Sequence, residues 1–327
     1  MNLIYLSLLN ILKICNCMFV DFVKKLFRLL RTNRNALYLA FVRRTGFLYN
    51  DETYLKLLFK YKVGYPLNLD NPKTYNEKLQ WLKLYNHRPE YKIMVDKYEV
   101  KKYVLNKIGE EYVIPTYGVW NSTDDIIWEE LPNQFVIKTT NGGGSSGVVI
   151  CKNRTSFSID DAVKELNNSL SQDIYSLFRE WPYRGMRKRI IAEKLLTEDS
   201  QESPRDYKVM CFDGIVKLVE FHEGRFSKHH TQDFYDKEWN LTGITQGSYS
   251  GFNTTPSPKP ALLDEMIRLS EILAEGIPHV RVDWYIVNNH LYFGELTFFD
   301  GSGFCPFDRY EDDLLLGSWI TLPVHTK

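Results

Sequence analysis

Asp283 and Glu295 are isolated acids in two otherwise apolar runs, Arg281-Val282-Asp283-Trp284-Tyr285-Ile286-Val287 and Leu291-Tyr292-Phe293-Gly294-Glu295-Leu296-Thr297. Both runs are rich in β-branched and aromatic residues, and Asn288-Asn289-His290 between them is a turn signal, so the segment predicts a β-hairpin. Register decides what the acids can do. With a three-residue loop, Asn288 to His290, Asp283 lies opposite Glu295, Arg281 opposite Thr297 and Tyr285 against Phe293; a two-residue loop separates the acids. Facing like charges destabilise a sheet, so a facing pair suggests a cation between them, and Mg²⁺ bridging phosphates suits two carboxylates. The alternative is a pair of rim acids matched by Arg281 or by solvent.

A second stretch could hold those phosphates. Phe135-Val136-Ile137-Lys138-Thr139-Thr140-Asn141-Gly142-Gly143-Gly144-Ser145-Ser146-Gly147-Val148-Val149-Ile150 sets a lysine near a strand end, beside a glycine-rich loop that returns as another strand. Glycines let backbone N–H groups approach phosphate oxygens, and the lysine supplies a compensating point charge. A Rossmann fingerprint should open a helix, whereas Val148-Val149-Ile150 reads as strand, and a Walker loop needs Gly-Lys-Ser/Thr, which is missing. A kinase loop would place its lysine after the glycines and would come with His-Arg-Asp and Asp-Phe-Gly; Phe299-Asp300-Gly301 only imitates the latter. An unliganded hairpin loop is the bland alternative. Glu193, in the apolar strand Ile190 to Leu196, could accept from an adenine amino group or a ribose hydroxyl. Asp206 and Lys208 alternate onto one face of the next strand, where such charges also serve as edge-strand protection.

The elements that must carry these residues are short. Residues 51 to 130 read as mainly helical, with apolar spacing over Tyr75 to Tyr85 and Ile93 to Ile108 punctuated by Pro72, Pro89 and Pro115. A strand is predicted at Tyr112 to Trp120, then strands at Gln134 to Thr139, Val148 to Cys151 and Arg189 to Leu196, with a helix over Ile159 to Leu170. A second hairpin, Tyr207 to Phe212 and Ile215 to Phe221, turns at Asp213-Gly214, and a helix from Ala261 to Glu275 feeds the acidic hairpin. Hairpins dominate, so the class is α+β, not a doubly wound sheet.

The chain of 327 residues balances 41 basic against 41 acidic residues and shows no electrostatic footprint of a nucleic-acid binder. Its five cysteines (15, 17, 151, 211 and 305) form no zinc-like grouping, which points to a reduced, cytoplasmic setting. The His229-His230 pair reads as surface or packing rather than as metal ligands. Residues 3 to 12 are nearly all apolar, but polar interruptions leave the run too short to span a bilayer. From Phe19 to Arg31 apolar residues at helical spacing oppose Lys24, Lys25, Arg28 and Arg31. Such a basic amphipathic helix either lies on the anionic inner leaflet or packs on the domain.

Taken together, Thr74-Tyr75-Asn76-Glu77-Lys78-Leu79-Gln80-Trp81, Val95-Asp96-Lys97-Tyr98, Phe135-Val136-Ile137-Lys138, Ile191-Ala192-Glu193-Lys194, Asp206-Tyr207-Lys208, Arg281-Val282-Asp283 and Phe293-Gly294-Glu295-Leu296-Thr297 resemble the ATP-grasp superfamily. The resemblance is closest to its teichuronopeptide-biosynthesis (TupA-like) branch of bacterial cell-surface polysaccharide gene sets, and runs from about residue 71 to 322. It implies an ATP-grasp fold in which two α+β lobes with antiparallel sheets, 131–200 and 201–327, clasp ATP. These follow an apolar and amphipathic segment, 1–48, and a helical region, 49–130. It further implies that Lys97 and Lys138 contact ATP phosphates under the loop of Gly142, Gly143, Gly144, Ser145, Ser146 and Gly147. Glu193 with the Leu195 backbone would hold adenine, Asp206 the ribose, and Asp283 and Glu295 Mg²⁺. Thr297 stands where many members place an asparagine metal ligand, so its hydroxyl would be a weaker third ligand. Arg281 would stabilise charge on phosphate or a tetrahedral intermediate, and Lys208 joins it among the catalytic residues. The implied reaction is ATP- and Mg²⁺-dependent joining of a carboxylate to an amine through an acylphosphate, on a glycan or lipid-linked polymer precursor. A glycosyltransferase of envelope polysaccharide assembly and a non-catalytic nucleotide-binding scaffold at the membrane remain the alternatives.

Overall fold

The computed structural model describes residues 34–144, 146–197, 205–223, 230–247 and 253–324. The apolar run of residues 3 to 12, the amphipathic stretch from Phe19 to Arg31, Ser145 and His229 lie outside them. The chain divides into two compact units, at Tyr65/Pro66. In the first, helices α1 (Arg34–Arg44) and α2 (Asp51–Lys62) pack through a turn at Gly46–Leu48. Asn50 caps α2 by accepting from the Thr53 amide at 2.8 Å. Among the described residues no helix is long and apolar enough to cross a membrane.

The second unit is α+β, as the hairpin-rich sequence predicts. It carries helices α3 (Tyr75–Tyr85), α4 (Tyr91–Val95), α5 (Glu99–Ile108), α6 (Ile159–Ser171), α7 (Ile174–Phe178), α8 (Leu263–Leu273) and α9 (Tyr310–Ser318). Strands β1 (Thr116–Trp120), β2 (Phe135–Thr139), β3 (Val148–Cys151) and β4 (Ile190–Lys194) form an antiparallel sheet in the order β1-β4-β2-β3. Strands β5 (Arg205–Phe212), β6 (Ile215–Glu223), β7 (Thr231–Tyr235), β8 (His279–Val287) and β9 (His290–Thr297) form the other, in the order β7-β6-β5-β8-β9. Strand β7 has no counterpart in the sequence expectations.

Strand alternation gives each sheet one apolar and one functional face. In the first sheet Phe135, Ile137, Ile190 and Ala192 are buried with Leu166 of α6, leaving Val136, Lys138, Ile191 and Glu193 on the other face. In the second, Tyr207, Val209, Val282 and Trp284 join Met266, Leu269 and Leu273 of α8 in the main core. The Trp284 indole donates to Ser270 Oγ at 2.8 Å, so a buried donor is satisfied. The opposite face is polar yet buried, and it carries the candidate residues Asp206, Lys208, Arg281 and Asp283.

Two local expectations are corrected. The apolar spacing over Ile93 to Ile108 predicts one helix, but the backbone at Asp96 is extended (φ −77°, ψ 116°). Its carboxylate accepts from the amides of Tyr98 (2.8 Å) and Glu99 (3.1 Å), so a side chain takes over the start of α5. The strand predicted from Tyr112 starts only at Thr116, because Glu110–Tyr112 is a 3-10 turn.

His279, at the start of β8, is 1% exposed. Its Nδ1–H donates to the Cys211 carbonyl at 2.9 Å, so Nε2 accepts from the Tyr75 hydroxyl of α3, also at 2.9 Å. Burial, with Arg281 nearby, lowers its pKa to about 3. The unfolded chain takes up this proton near pH 6.5, and the folded chain refuses it until far lower. The stability His279 confers is therefore complete above pH 6.5 and lost as pH falls. Urea unfolding at pH 7.5 and pH 5 is expected to show a loss of about 2 kcal/mol from this residue, and His279→Gln to remove that part of the difference. An unchanged pH difference in the variant would refute the assignment.

Candidate active site between two sheets

The acidic hairpin pairs its acids by a route the sequence did not reveal. The turn has two residues, Asn288 and Asn289, both at positive φ (51° and 55°), as a type I′ turn requires. Val287 then faces His290 and Tyr285 faces Tyr292, not Phe293. Such a turn alone would separate the acids. A β-bulge at Gly294 restores them: the register shifts after Trp284↔Phe293, so that Asp283 faces Glu295 and Arg281 faces Thr297. The extra residue also explains how Phe293 and Leu296, three positions apart, are both buried in the core. A Cβ on Gly294 would come within 3.1 Å of the Asp283 carbonyl, so the bulge is tightly built.

Across the strands Glu220, Lys208, Asp283 and Glu295 follow one another on the same face. Lys208 Nζ lies 2.7 Å from Asp283 Oδ2 and 2.9 Å from Asp206 Oδ2. Strand β5 is central in its sheet, which excludes edge protection as the purpose of Asp206 and Lys208. Burial alone would lower the Lys208 pKa, but Asp283, Asp206 and Glu220 outweigh it and Arg281, and raise it. Arg281 grips both Asp283 oxygens, Nε to Oδ1 at 2.7 Å and NH2 to Oδ2 at 2.8 Å, and its NH1 binds Asp300. Its pKa is driven well up by Asp283, Asp300 and Glu220 against its own desolvation.

On the first sheet Lys138 lies 2.5 Å from Glu193 Oε2, while Lys101 of α5 holds Oε1 at 2.5 Å. Burial would raise the Glu193 pKa, but the two lysines prevail and lower it. Both its oxygens are thus engaged by ammonium groups. Leu195 follows directly after β4. In the glycine-rich loop the Thr139 amide donates to the Gly147 carbonyl at 3.1 Å, closing the hairpin. Gly147 has φ 68°, and a Cβ there would collide with Ser169, whereas Gly143 and Gly144 face open space. Ser146 Oγ accepts from Gln172 at 3.2 Å.

Lys97 joins the two sheets. Its Nζ donates to the Gly142 carbonyl at 2.5 Å and lies 3.1 Å from Glu295 Oε2. The helix break at Asp96 turns Lys97 into this position, and Asp96 is itself held by Arg189 at 3.0 Å. Lys97, with Arg281 and Lys208, outweighs desolvation and pulls the Glu295 pKa far below the usual range.

Lys97, Lys208, Arg281, Asp283, Glu295 and Thr297 thus share one contact network, with Asp206 joined through Lys208 and Gly142 through Lys97. Lys138 and Glu193 form a second ion-paired group with Lys101. Sequence reasoning missed Asp300, Lys101 and Arg189. Asp300 lay in a tripeptide dismissed as a kinase imitation, and its proximity to Arg281 depends on the turn after β9. There Gln80 and Lys83 of α3 donate to the Ser302 carbonyl at 3.2 and 2.7 Å.

The donor set suits a hard divalent cation. Among the described residues no three or more His, Cys, Asp and Glu side chains form a metal cluster. Asp283 and Glu295 nonetheless face each other, and carboxylate oxygens keep lone pairs beyond those used by Arg281, Lys97 and Lys208. Two carboxylates completed by phosphate oxygens and water are the usual Mg²⁺ arrangement. Thr297 Oγ1 donates to Glu295 Oε1 at 3.2 Å and accepts from Arg281 at 3.4 Å, so it orients Glu295.

Residues 77–321 match the family model of the TupA-like ATP-grasp proteins, and the chain belongs to that family. Its paired antiparallel sheets, preceded by helices, are an ATP-grasp fold. No curated protein sequence matches it. Among solved structures it is similar to D-alanine–D-alanine ligase from Helicobacter pylori, at 16% identity over 77% of this chain and 70% of that one, with a TM-score of 0.42. The corresponding ligase from Bacillus anthracis is 16% identical over 63% of this chain, with a TM-score of 0.37; the match spans only 57% of that enzyme. The biotin carboxylase domain of Hydrogenobacter thermophilus 2-oxoglutarate carboxylase, in a complex containing MgADP, is 17% identical over 63% of this chain and 40% of that one, with a TM-score of 0.38.

Lys208 bridges two buried carboxylates, Asp206 and Asp283. Lys208→Met is expected to destabilise the fold by about 3 kcal/mol, because it leaves Asp206 and Asp283 short of a partner. Adding Asp283→Asn should return part of that loss. A double-mutant cycle by urea unfolding checks this, and strictly additive effects would contradict it.

Proposed function

We propose that the protein is an ATP- and Mg²⁺-dependent ligase that joins a carboxylate to an amine. The observation that carries this is Lys97, whose ammonium touches both the glycine-rich loop and Glu295. It brings a phosphate-compatible loop and a Mg²⁺-compatible carboxylate pair to one place, and phosphoryl transfer needs little beyond such positioning and charge neutralisation. In this reading Lys97 and Lys138 bind ATP phosphates under Gly142 to Gly147, and the segment around Glu193 and Leu195 receives the base. Glu193 holds Lys138 and Lys101 in place, and Asp206 lies toward the ribose. Asp283 and Glu295, with Asp300 close by, would hold Mg²⁺, which supplies charge neutralisation at the phosphates when bound.

The substrate carboxylate attacks the γ-phosphorus and ADP leaves. The amine, once its ammonium form has lost a proton, then attacks the acyl carbon of the acylphosphate, forming the C–N bond as the C–O bond to phosphate breaks, and the departing phosphate takes up the further proton the nitrogen sheds. Arg281 and Lys208 offer positive charge for the oxygens that become negative in both steps, as planar and point donors respectively. Family membership supports cell-surface polymer biosynthesis as the setting, with a glycan or lipid-linked precursor among the substrates.

Calorimetry tests the nucleotide site. Wild type should bind ATP with micromolar affinity only when Mg²⁺ is present, and Lys138→Ala should weaken it by at least about tenfold, since it removes a charge-assisted contact. Absence of ATP binding by a folded protein, with binding of a UDP- or GDP-sugar, would replace the ligase with a glycosyltransferase. We also propose that the basic N-terminal stretch brings the enzyme to the cytoplasmic leaflet. Removing residues 1–34 should abolish co-sedimentation with anionic liposomes, and unchanged co-sedimentation would defeat that idea.

A further inference from the structure

At the β6–β7 end of the polar face two buried acceptor oxygens lack a donor among the described residues: Glu220 Oε2 and Gln232 Oε1. Their side chains belong to residues only 2% and 4% exposed. The other atoms of both groups are committed. Glu220 Oε1 accepts from His222 Nε2 at 2.6 Å and from Gln232 Nε2 at 2.7 Å. The Gln232 amide also reaches Gln246 Oε1 at 3.3 Å. Its orientation is chemically forced, because a carboxylate oxygen must face the amide nitrogen. Glu220 stays ionised: desolvation opposes this, but His222, Arg281 and Lys208 lower its pKa to about 2.

Native proteins rarely bury polar atoms without partners, and this pair is not scattered. Glu220 pairs in register with Lys208, which pairs with Asp283. The unfilled oxygens therefore lie on the same face, that of Glu220 one strand beyond Lys208 and roughly 10 Å across the strands from Asp283, and that of Gln232 one strand further, on β7. An incoming group must bring N–H or O–H donors, and one carrying positive charge gains most from the anionic Glu220. A carboxylate or phosphate would be repelled. A metal ion is the poorer match, because Glu220, His222 and His230 do not form a metal cluster, and His222 is engaged by Glu220 and by His230 at 2.8 Å.

We propose that Glu220 and Gln232 receive the amino group of the nucleophilic substrate. This rests on the ligase reading and deepens it, since it assigns the amine to the β6–β7 side, away from the lysines that would hold ATP. Neither side chain contacts Lys97, Lys138 or the glycine-rich loop, so nucleotide binding and amine binding are separable.

The test uses the full chain with Mg-ATP present and propylammonium as a bare cationic probe, read by saturation-transfer NMR, with 1-propanol as its uncharged counterpart. Wild type should bind propylammonium and not propanol. Glu220→Gln and Gln232→Met should each weaken propylammonium by about tenfold, the effect of losing a charge-assisted or buried hydrogen bond, while Mg-ATP affinity stays the same in Gln232→Met, whose side chain bonds only to Glu220 and Gln246 among the described residues. Equal propylammonium binding in wild type and both variants, with folding verified, overturns the proposal. So does a result in which Mg²⁺ alone competes with the probe through Glu220, since the oxygens would then be a metal site. If Glu220→Gln does not fold, Gln232→Met decides. If wild type fails to bind Mg-ATP yet holds propylammonium through Glu220, the amine site stands and the ligase reading falls.

Discussion

Buried carboxylates are tolerable only when cations accompany them, and this requirement organises the second unit of the protein. Asp283 is held by Arg281 and Lys208, Glu295 by Lys97, and Glu193 by Lys101 and Lys138. Removing one partner leaves a charge in low dielectric, which costs far more than the intact pair contributes. The polar face of the second sheet thus offsets much of its negative charge with cations while remaining rich in ionisable groups. That condition suits a site where highly charged phosphates and a metal exchange places with protein groups, since lysines and carboxylates already paired with each other can be re-paired with ligands of the opposite sign.

The positions of these ions follow from ordinary local rules. Alternation in β5, β6 and β8 turns every second residue to the polar face while the intervening ones bury against α8. The Asp96 cap interrupts a helical segment and aims Lys97 into the gap. The α3 side chains Gln80 and Lys83 hold the turn carrying Asp300 by its carbonyls. Few of these devices lie in the loops alone; most are rigid elements whose side chains are fixed by burial.

The sequence displayed every strand but β7 and most helices through periodicity, and the Asp213-Gly214 turn through its composition. It also displayed the family through its motifs, which covered Lys97, Lys138, Arg281, Asp283 and Glu295. What it concealed were features that arise when segments distant along the chain meet. Lys101 looked like one helical lysine among several until β4 placed Glu193 against it. Asp300 acquired meaning from Arg281, nineteen positions earlier. Glu220 drew no notice within its predicted strand, and β7, which carries Gln232, went unread, so their convergence was invisible. The acidic hairpin was legible in outcome and hidden in cause: the acids do face each other, but through a tight turn plus a bulge instead of a longer loop, and a glycine within an alternating run is a modest sign of that.

The bulge at Gly294 also divides the hairpin into two parts with different tolerances. From Trp284 through the turn to Phe293 the strands pair without interruption, and the site lies wholly on the other side of the extra residue. Lengthening or trimming the tip by two residues in each strand keeps the facing of every pair and leaves Asp283 opposite Glu295. The tip is thus a modular extension whose length can drift among relatives, whereas a single added or lost residue between Gly294 and Thr297 would put the wrong side chains in the cleft. Variation in hairpin length should therefore come in even steps and gather at the Asn288-Asn289 end.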